Sequence, residues 1–233
     1  LSPRDIQLGR GETVKDTALV LERMLDGIMI RTFSHDEVVE LAHWASIPII
    51  NGLTDLLHPT QVIGDMMTII ENKGGLKGIK LAFVGDGNNV AHSLLNGGAK
   101  TGMDVVIACP KGFEPDAKVL SQAQEDAKAS GAKLWVVEDP IEAVTGADVV
   151  YTDVWASMGQ EAEAAEKEQK FRQYQINQQL MSHAHKDAIV LHCLPAKRGK
   201  EITDEVMDGP QSVVFPEAEN RLHAHKAIMA LVM

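Results

Sequence analysis

The strongest constraint on this chain's fold is an alternation. Short apolar runs, apolar on both faces, take turns with stretches whose apolar residues recur every three to four positions. Lys80–Val84, Asp104–Ala108, Lys133–Val137, Asp148–Tyr151 and Ala188–Leu191 are the short runs and read as strands. Asn88–Gly97, Asp116–Ser130 and Ile141–Thr145 lie between them with helical spacing. Glu161–Met181 reads as one long polar helix and Thr203–Met207 as a helical turn. Ser212–Phe215 is expected as a last strand and Glu217–Leu231 as a last helix. Strands apolar on both faces and separated by helices require a parallel sheet covered on both sides. The fold class is therefore α/β, with residues 75–215 forming a complete doubly wound unit.

The first part of the chain follows the same rule but holds fewer strands. Thr13–Leu25 is helix-like, Ile28–Ile30 is a short strand ending at Arg31, and Pro48–Asn51 is the next strand. Ser34 and Glu37 have the spacing of a capping box ahead of a second helix. A third helix runs from Pro59 to Asn72, with Gly74 as its stop. Two strands are too few for a stable sheet alone. Residues 1–57 thus read as the rear of another doubly wound domain, 58–74 as a connecting helix, and 216–233 as a returning helix.

Composition removes several classes. At 233 residues the chain is one large domain or two modest ones. Its 45% hydrophobic and 24% charged content is that of a globular protein. A formal net charge of −11 argues against a nucleic-acid partner. Apolar runs of about five residues fall far short of the roughly 20 a membrane helix needs, so no membrane partner is expected. Two cysteines, Cys109 and Cys193, make no disulfide framework, so a reducing cytoplasm is expected. The opening Leu-Ser-Pro-Arg has no Met, basic region or apolar region, so it is not read as a secretory leader.

Four short motifs fall at strand or helix ends. Gly85-Asp86-Gly87-Asn88-Asn89-Val90 follows a strand, but Val90 stands where a dinucleotide fingerprint needs its third glycine. The acidic ribose partner is missing too, so a nicotinamide cofactor is not expected. A small ligand at Asn88 or Asn89 fits better, because open α/β sheets bind ligands at strand carboxyl ends. His58-Pro59-Thr60-Gln61 opens a helix, where free N–H groups favour an anionic or carbonyl oxygen. Asp153, with Ser157-Met158-Gly159 close behind, can hold an ammonium group through a carboxylate and a hydroxyl, or simply form an Asx-turn. His192-Cys193-Leu194-Pro195 ends another strand. Adjacent residues of an extended chain point to opposite faces, so His192 is not placed to activate Cys193 as a nucleophile.

Other charged residues are weighed the same way. The pairs His183/His185 and His223/His225 lack the partners of a zinc site, so no metal is expected. Arg31 ends an apolar strand, where a guanidinium faces a ligand or pairs with a carboxylate such as Asp26 or Glu40. Arg221 is expected in the first turn of the last helix, where the dipole disfavours an unpaired cation.

These motifs together, in this order and at these spacings, resemble the ornithine carbamoyltransferases over essentially the whole chain. Cys193 and the Ser-Met-Gly loop point to ornithine within the wider transcarbamylase family. The resemblance implies two α/β domains with a cleft between them, and transfer of a carbamoyl group from carbamoyl phosphate to L-ornithine without a cofactor. It implies that Gln7, Arg31, His58, Gln61, Cys193, Leu194 and Arg221 hold carbamoyl phosphate, Gln7 reaching into a neighbouring subunit of a trimer. It implies that Asn89, Asp153, Ser157 and Met158 hold ornithine. Arg31, His58, Asp153, Cys193 and Arg221 would carry the chemistry. The family's Ser-Thr-Arg-Thr-Arg phosphate motif does not occur in this sequence, and the resemblance implies a place for it upstream of Leu1. A chain starting at Leu1 is then expected to hold carbamoyl phosphate weakly. The alternatives are a transcarbamylase for another amine and a relative that binds ornithine but has lost catalysis.

Overall fold

The structure, a computed structural model, describes residues 11–156 and 164–233. The first part comprises α1 (Val14–Leu21), β1 (Ile28–Arg31), α2 (His35–Trp44) and β2 (Ile49–Leu53), and its two strands pair in parallel. Ser34 caps α2 by accepting from the Glu37 N–H at 3.3 Å. The Glu37 carboxylate does not complete the box. It accepts instead from the Thr32 hydroxyl at 3.0 Å, which ties the start of α2 to the end of β1 beside Arg31.

Helix α3 (Pro59–Lys73) leads to the second part. Proline sits in its first turn, where no N–H is missed, and Gly74 ends it at φ 80°. Then follow β3 (Lys80–Val84), α4 (Asn89–Thr101), β4 (Asp104–Ala108), α5 (Ala117–Ser130), β5 (Leu134–Val137), α6 (Pro140–Val144) and β6 (Val149–Thr152). After them come α7 (Ala164–Phe171), α8 (Gln178–Met181), β7 (Ile189–His192), α9 (Asp204–Met207) and α10 (Val214–Val232). The five strands are all parallel, in the order β5-β4-β3-β6-β7.

The two faces of this sheet bury alternate residues, as a pleat requires. Leu81, Phe83, Val105, Ile107 and Tyr151 pack with α4 and α5, while Ala82, Val84, Val106, Val150 and Val190 pack with α6, α8 and α9. Strand order reverses between β3 and β6. The chain leaves these two neighbours toward opposite sides, which opens a crevice beyond their carboxyl ends.

Two expected elements are overturned. Of the single helix expected over 161–181, residues 161–163 lie outside the described residues. The rest is α7, a 3-10 turn at Arg172–Tyr174, an extended stretch and then α8. Phe171, Tyr174, Ile176 and Leu180 are all buried. Their spacing would spread them around a straight helix, so the chain breaks to bring them to one core. The expected strand Ser212–Phe215 is a single bridge, Val190 to Ser212, before α10 begins at Val214. Pro216 has no N–H for a ladder and is at home in a first helical turn. Arg221 consequently lies about two turns inside α10, not at its start, and the dipole argument for it does not hold.

Helix α10 returns across α3. The crossing is close at Gly64, where even a methyl group would stand 3.3–3.4 Å from the Cγ, Cα and N of Arg221. Among the described residues no helix is long and apolar enough to cross a membrane.

Candidate active site

The carboxyl ends of β1, β2, β3, β6 and β7 converge on one cavity of about 810 Å³. Its walls include Arg31 from β1, His58 before α3, Asp86 to Asn89 after β3, and Asp153 after β6. Cys193 and Leu194 after β7 and Arg221 from α10 complete this part of the lining. Of the sequence candidates the cavity therefore gathers Arg31, His58, Asn89, Asp153, Cys193, Leu194 and Arg221. Gln7, Ser157 and Met158 lie outside the described residues.

Gln61 is not on the wall. It is buried beneath, with Nε2 donating to Asp65 Oδ1 at 2.8 Å and to Glu217 Oε1 at 3.3 Å. Its Oε1 has no hydrogen-bond partner.

The acidic wall centres on Asp153. Its Oδ2 accepts from Asn88 Nδ2 at 2.8 Å, and its Oδ1 accepts from Val154 N–H at 2.7 Å and the Cys193 thiol at 3.0 Å. Burial and the Asp153 charge hold the Cys193 thiol pKa well above its ordinary value. A thiol that stays protonated is a donor and not a nucleophile, in line with the sequence reading. Both ring nitrogens of His192 are engaged away from the thiol. Its Nδ1 accepts from Leu194 N–H at 2.9 Å and its Nε2 meets Glu201 at 3.2 Å. This brace holds Leu194 at φ 56°, a left-handed conformation rare for a bulky residue. Asp153, His192 and Cys193 bring ligating atoms within 4.8 Å of one another. The thiol and both ring nitrogens are already engaged, so the trio offers a metal little without rearrangement.

The opposite wall is cationic. His58 feels Arg221 and Arg31, but burial acts first, and together they lower its pKa from 6.5 to about 4. Its ring is neutral at physiological pH, and Nδ1 has no hydrogen-bond partner. Its backbone N–H is anchored on Ser93 Oγ at 2.8 Å.

The glycine turn works by packing. A methyl group on Gly87 would lie 2.3 Å from the backbone N of Pro115 and 2.4 Å from the carbonyl carbon of Glu114. The residue must be glycine because the 113–115 loop rests on it, and Gly87 N–H bonds to Phe113 O at 2.9 Å. Asn88 caps α4 with Oδ1 while donating its amide to Asp153. Asn89 Nδ2 reaches across to Thr54 O at 2.7 Å, joining the two parts.

Sequence reasoning missed a buried ion pair in the cavity wall, Lys167 Nζ to Asp86 Oδ2 at 2.5 Å. Lys167 falls in the run that reads as a long polar helix, yet only 4% of it is exposed. The signal lay in the aromatic residues Phe171 and Tyr174 further along the same run, which mark an inward-facing segment.

Fold and cavity define a two-part α/β protein that receives a small ligand where its strands end. Family models place it more narrowly. Residues 1–71 match the carbamoyl-P binding domain, and residues 77–232 the Asp/Orn binding domain, of aspartate/ornithine carbamoyltransferase. The chain belongs to that family. It is 61% identical over 233 residues to the ornithine carbamoyltransferase of Carboxydothermus hydrogenoformans, and 62% identical to that of Symbiobacterium thermophilum. Each alignment covers 100% of this chain and 75% of the relative. The solved ornithine carbamoyltransferase from Pyrococcus furiosus superimposes with a TM-score of 0.96 at 56% identity, covering 100% of this chain and 74% of that one.

Proposed function

We propose that the chain transfers the carbamoyl group of carbamoyl phosphate to the side-chain amine of L-ornithine, giving L-citrulline and phosphate in arginine metabolism. The observation that carries this reading is the polarity of the cavity. One wall presents Asp153 with its Cys193 and Asn88 partners, and the other presents Arg31, His58 and Arg221.

The α-ammonium group of ornithine pairs with Asp153, and Asn89, Ser157 and Met158 surround the amino-acid end. Carbamoyl phosphate lies against Arg31, His58, Cys193, Leu194 and Arg221, with Gln61 buried beneath them. The free Oε1 of Gln61 suits an N–H of the carbamoyl group. The attacking amine has an ordinary pKa near ~10.4 and must lose a proton first. Attack pushes electrons onto the carbamoyl oxygen. Arg31 and Arg221 stabilise that oxygen, each donor contributing about 3–4 kcal/mol in comparable sites. The neutral His58 serves as a hydrogen-bond partner and adds no charge. As the new C–N bond forms the C–O bond to phosphate breaks, and the leaving phosphate takes the second proton that the attacking nitrogen gives up, so the chemistry calls for no cofactor.

In this reading residues 1–57 belong to the carbamoyl-phosphate domain, 58–74 link the domains, 75–215 form the ornithine domain and 216–233 return to the first. The separate sheets β1–β2 and β3–β7, joined through α3 and α10, support that division. The enzyme works in the cytoplasm as a trimer, with Gln7 entering a neighbouring site.

The test is citrulline formation from carbamoyl phosphate and ornithine, beside putrescine and aspartate as competing amines, with sedimentation for the trimer. No citrulline, or faster transfer to either competitor, overturns the reading.

A further inference from the structure

Two carboxyl groups meet beneath the cationic wall. Asp65 of α3 and Glu217 of α10 are both at 0% exposure and converge on the same two donor atoms. Around them stand three donors. Gln61 Nε2 reaches both acids. The Tyr151 hydroxyl lies 3.1 Å from Asp65 Oδ2 and 3.2 Å from Glu217 Oε1. Glu217 Oε2 accepts from His192 N–H at 2.8 Å, at the strand end that presents Cys193. No described cation stands within ion-pair distance of either acid, and the charge of Arg221 acts on Asp65 from further off.

Two ionised carboxylates gathered on the same donors in a dry site repel strongly, and burial also favours their neutral forms. One proton between them removes the repulsion and supplies the missing donor. The placement is functional in its geometry. Gln61 and Asp65 are four apart on α3, hence on one face, below His58 at its N-cap, and Glu217 lies one turn before Arg221 on α10.

We propose that Asp65 and Glu217 form one positioning unit for carbamoyl transfer: sharing a single proton, they hold one negative charge that fixes the Gln61 amide and the backbone before Cys193. Gln61, held by Nε2, then keeps its Oε1 in a fixed direction as an acceptor. The inference rests on the function proposed above.

The experiment uses the single variants Asp65→Asn and Glu217→Gln and the double variant. Each single keeps one carboxylate, which can ionise, while the double keeps none. Infrared difference spectra near neutral pH, in water against heavy water, should show a protonated buried carboxyl in the wild-type chain that each single substitution removes. Each single variant should lose no more than about 5-fold in kcat, and the double at least about 10-fold beyond the product of the singles, the scale of a coupled pair. KM for both substrates should change less than kcat. No protonated carboxyl, a band that survives both single substitutions, or a double variant equal to the product of the singles overturns the proposal. If the double variant does not fold, the singles decide: the infrared band reports the shared proton, and losses confined to KM or to thermal stability overturn the positioning role. A wild-type chain without turnover overturns the proposed function instead, and the infrared result still decides the shared proton.

Discussion

Asp153 collects three donors on two oxygens, from Asn88, Val154 and Cys193. Such an acceptor is aimed and held rigid before any ligand arrives. An amide in its place keeps the shape but loses the charge and reverses one hydrogen bond. Asp153→Asn should therefore weaken ornithine binding by about 2–3 kcal/mol, the cost of unpairing a buried ammonium, and carbamoyl phosphate binding far less. Calorimetric titration with each substrate checks this, and equal losses for both would count against it. His58 carries a second prediction. Its ring titrates at about 4 when folded and near 6.5 when unfolded, so the unfolded chain takes up the proton first. The stability it contributes is full above pH 6.5 and is lost as pH falls through about 4. Thermal melts across that window should show a shallower acid slope for His58→Asn than for the wild-type chain.

At the scale of the element, the turn after β3 is held by close main-chain packing. Gly87 meets main-chain atoms of the 113–115 loop, and main chain cannot rotate aside as a side-chain tip can. Gly87→Ala should push that loop away, costing on the order of 2 kcal/mol or more by overpacking and disturbing the Asn88 cap. A lower melting temperature and weaker ornithine binding together would bear this out, and an unchanged melt would refute it. The same turn shows what the sequence can and cannot tell. β3 and β4 were legible to the residue, because each is an unbroken apolar run buried on both faces whose start is marked by a charged residue, Lys80 or Asp104. The region after Asp153 was not. Lys167 and its neighbours look solvated until Asp86, 81 residues away, supplies the partner that lets the lysine be buried. The strand expected at 212–215 failed similarly, since its bridge to Val190 is a tertiary contact that local apolarity only imitates. In the cavity wall, Asp153 and Cys193 could be named from their motifs. The Asp65–Glu217 contact could not, because it depends on how closely α10 crosses α3 at Gly64.

The whole molecule joins two sheets of unequal protection. In the five-stranded sheet β3, β4 and β6 are buried almost end to end, whereas β1 and β2 are half-buried at best and Met29 is 62% exposed. Local opening follows such differences, so amide hydrogens of β1 and β2 should exchange with solvent well before those of β3, β4 and β6. Mass spectrometry of the exchanging chain checks this, and equal protection in the two sheets would contradict it. The cavity spans both, with Arg31 on the loosely protected side and Asp153 on the tightly protected one. A ligand touching only Asp153 adds little to amides that already open rarely. A ligand that also grips Arg31 must close the loose sheet before it can stay. Retarded exchange in β1 and β2 is thus a direct gauge of whether a bound molecule bridges the two walls or rests on one.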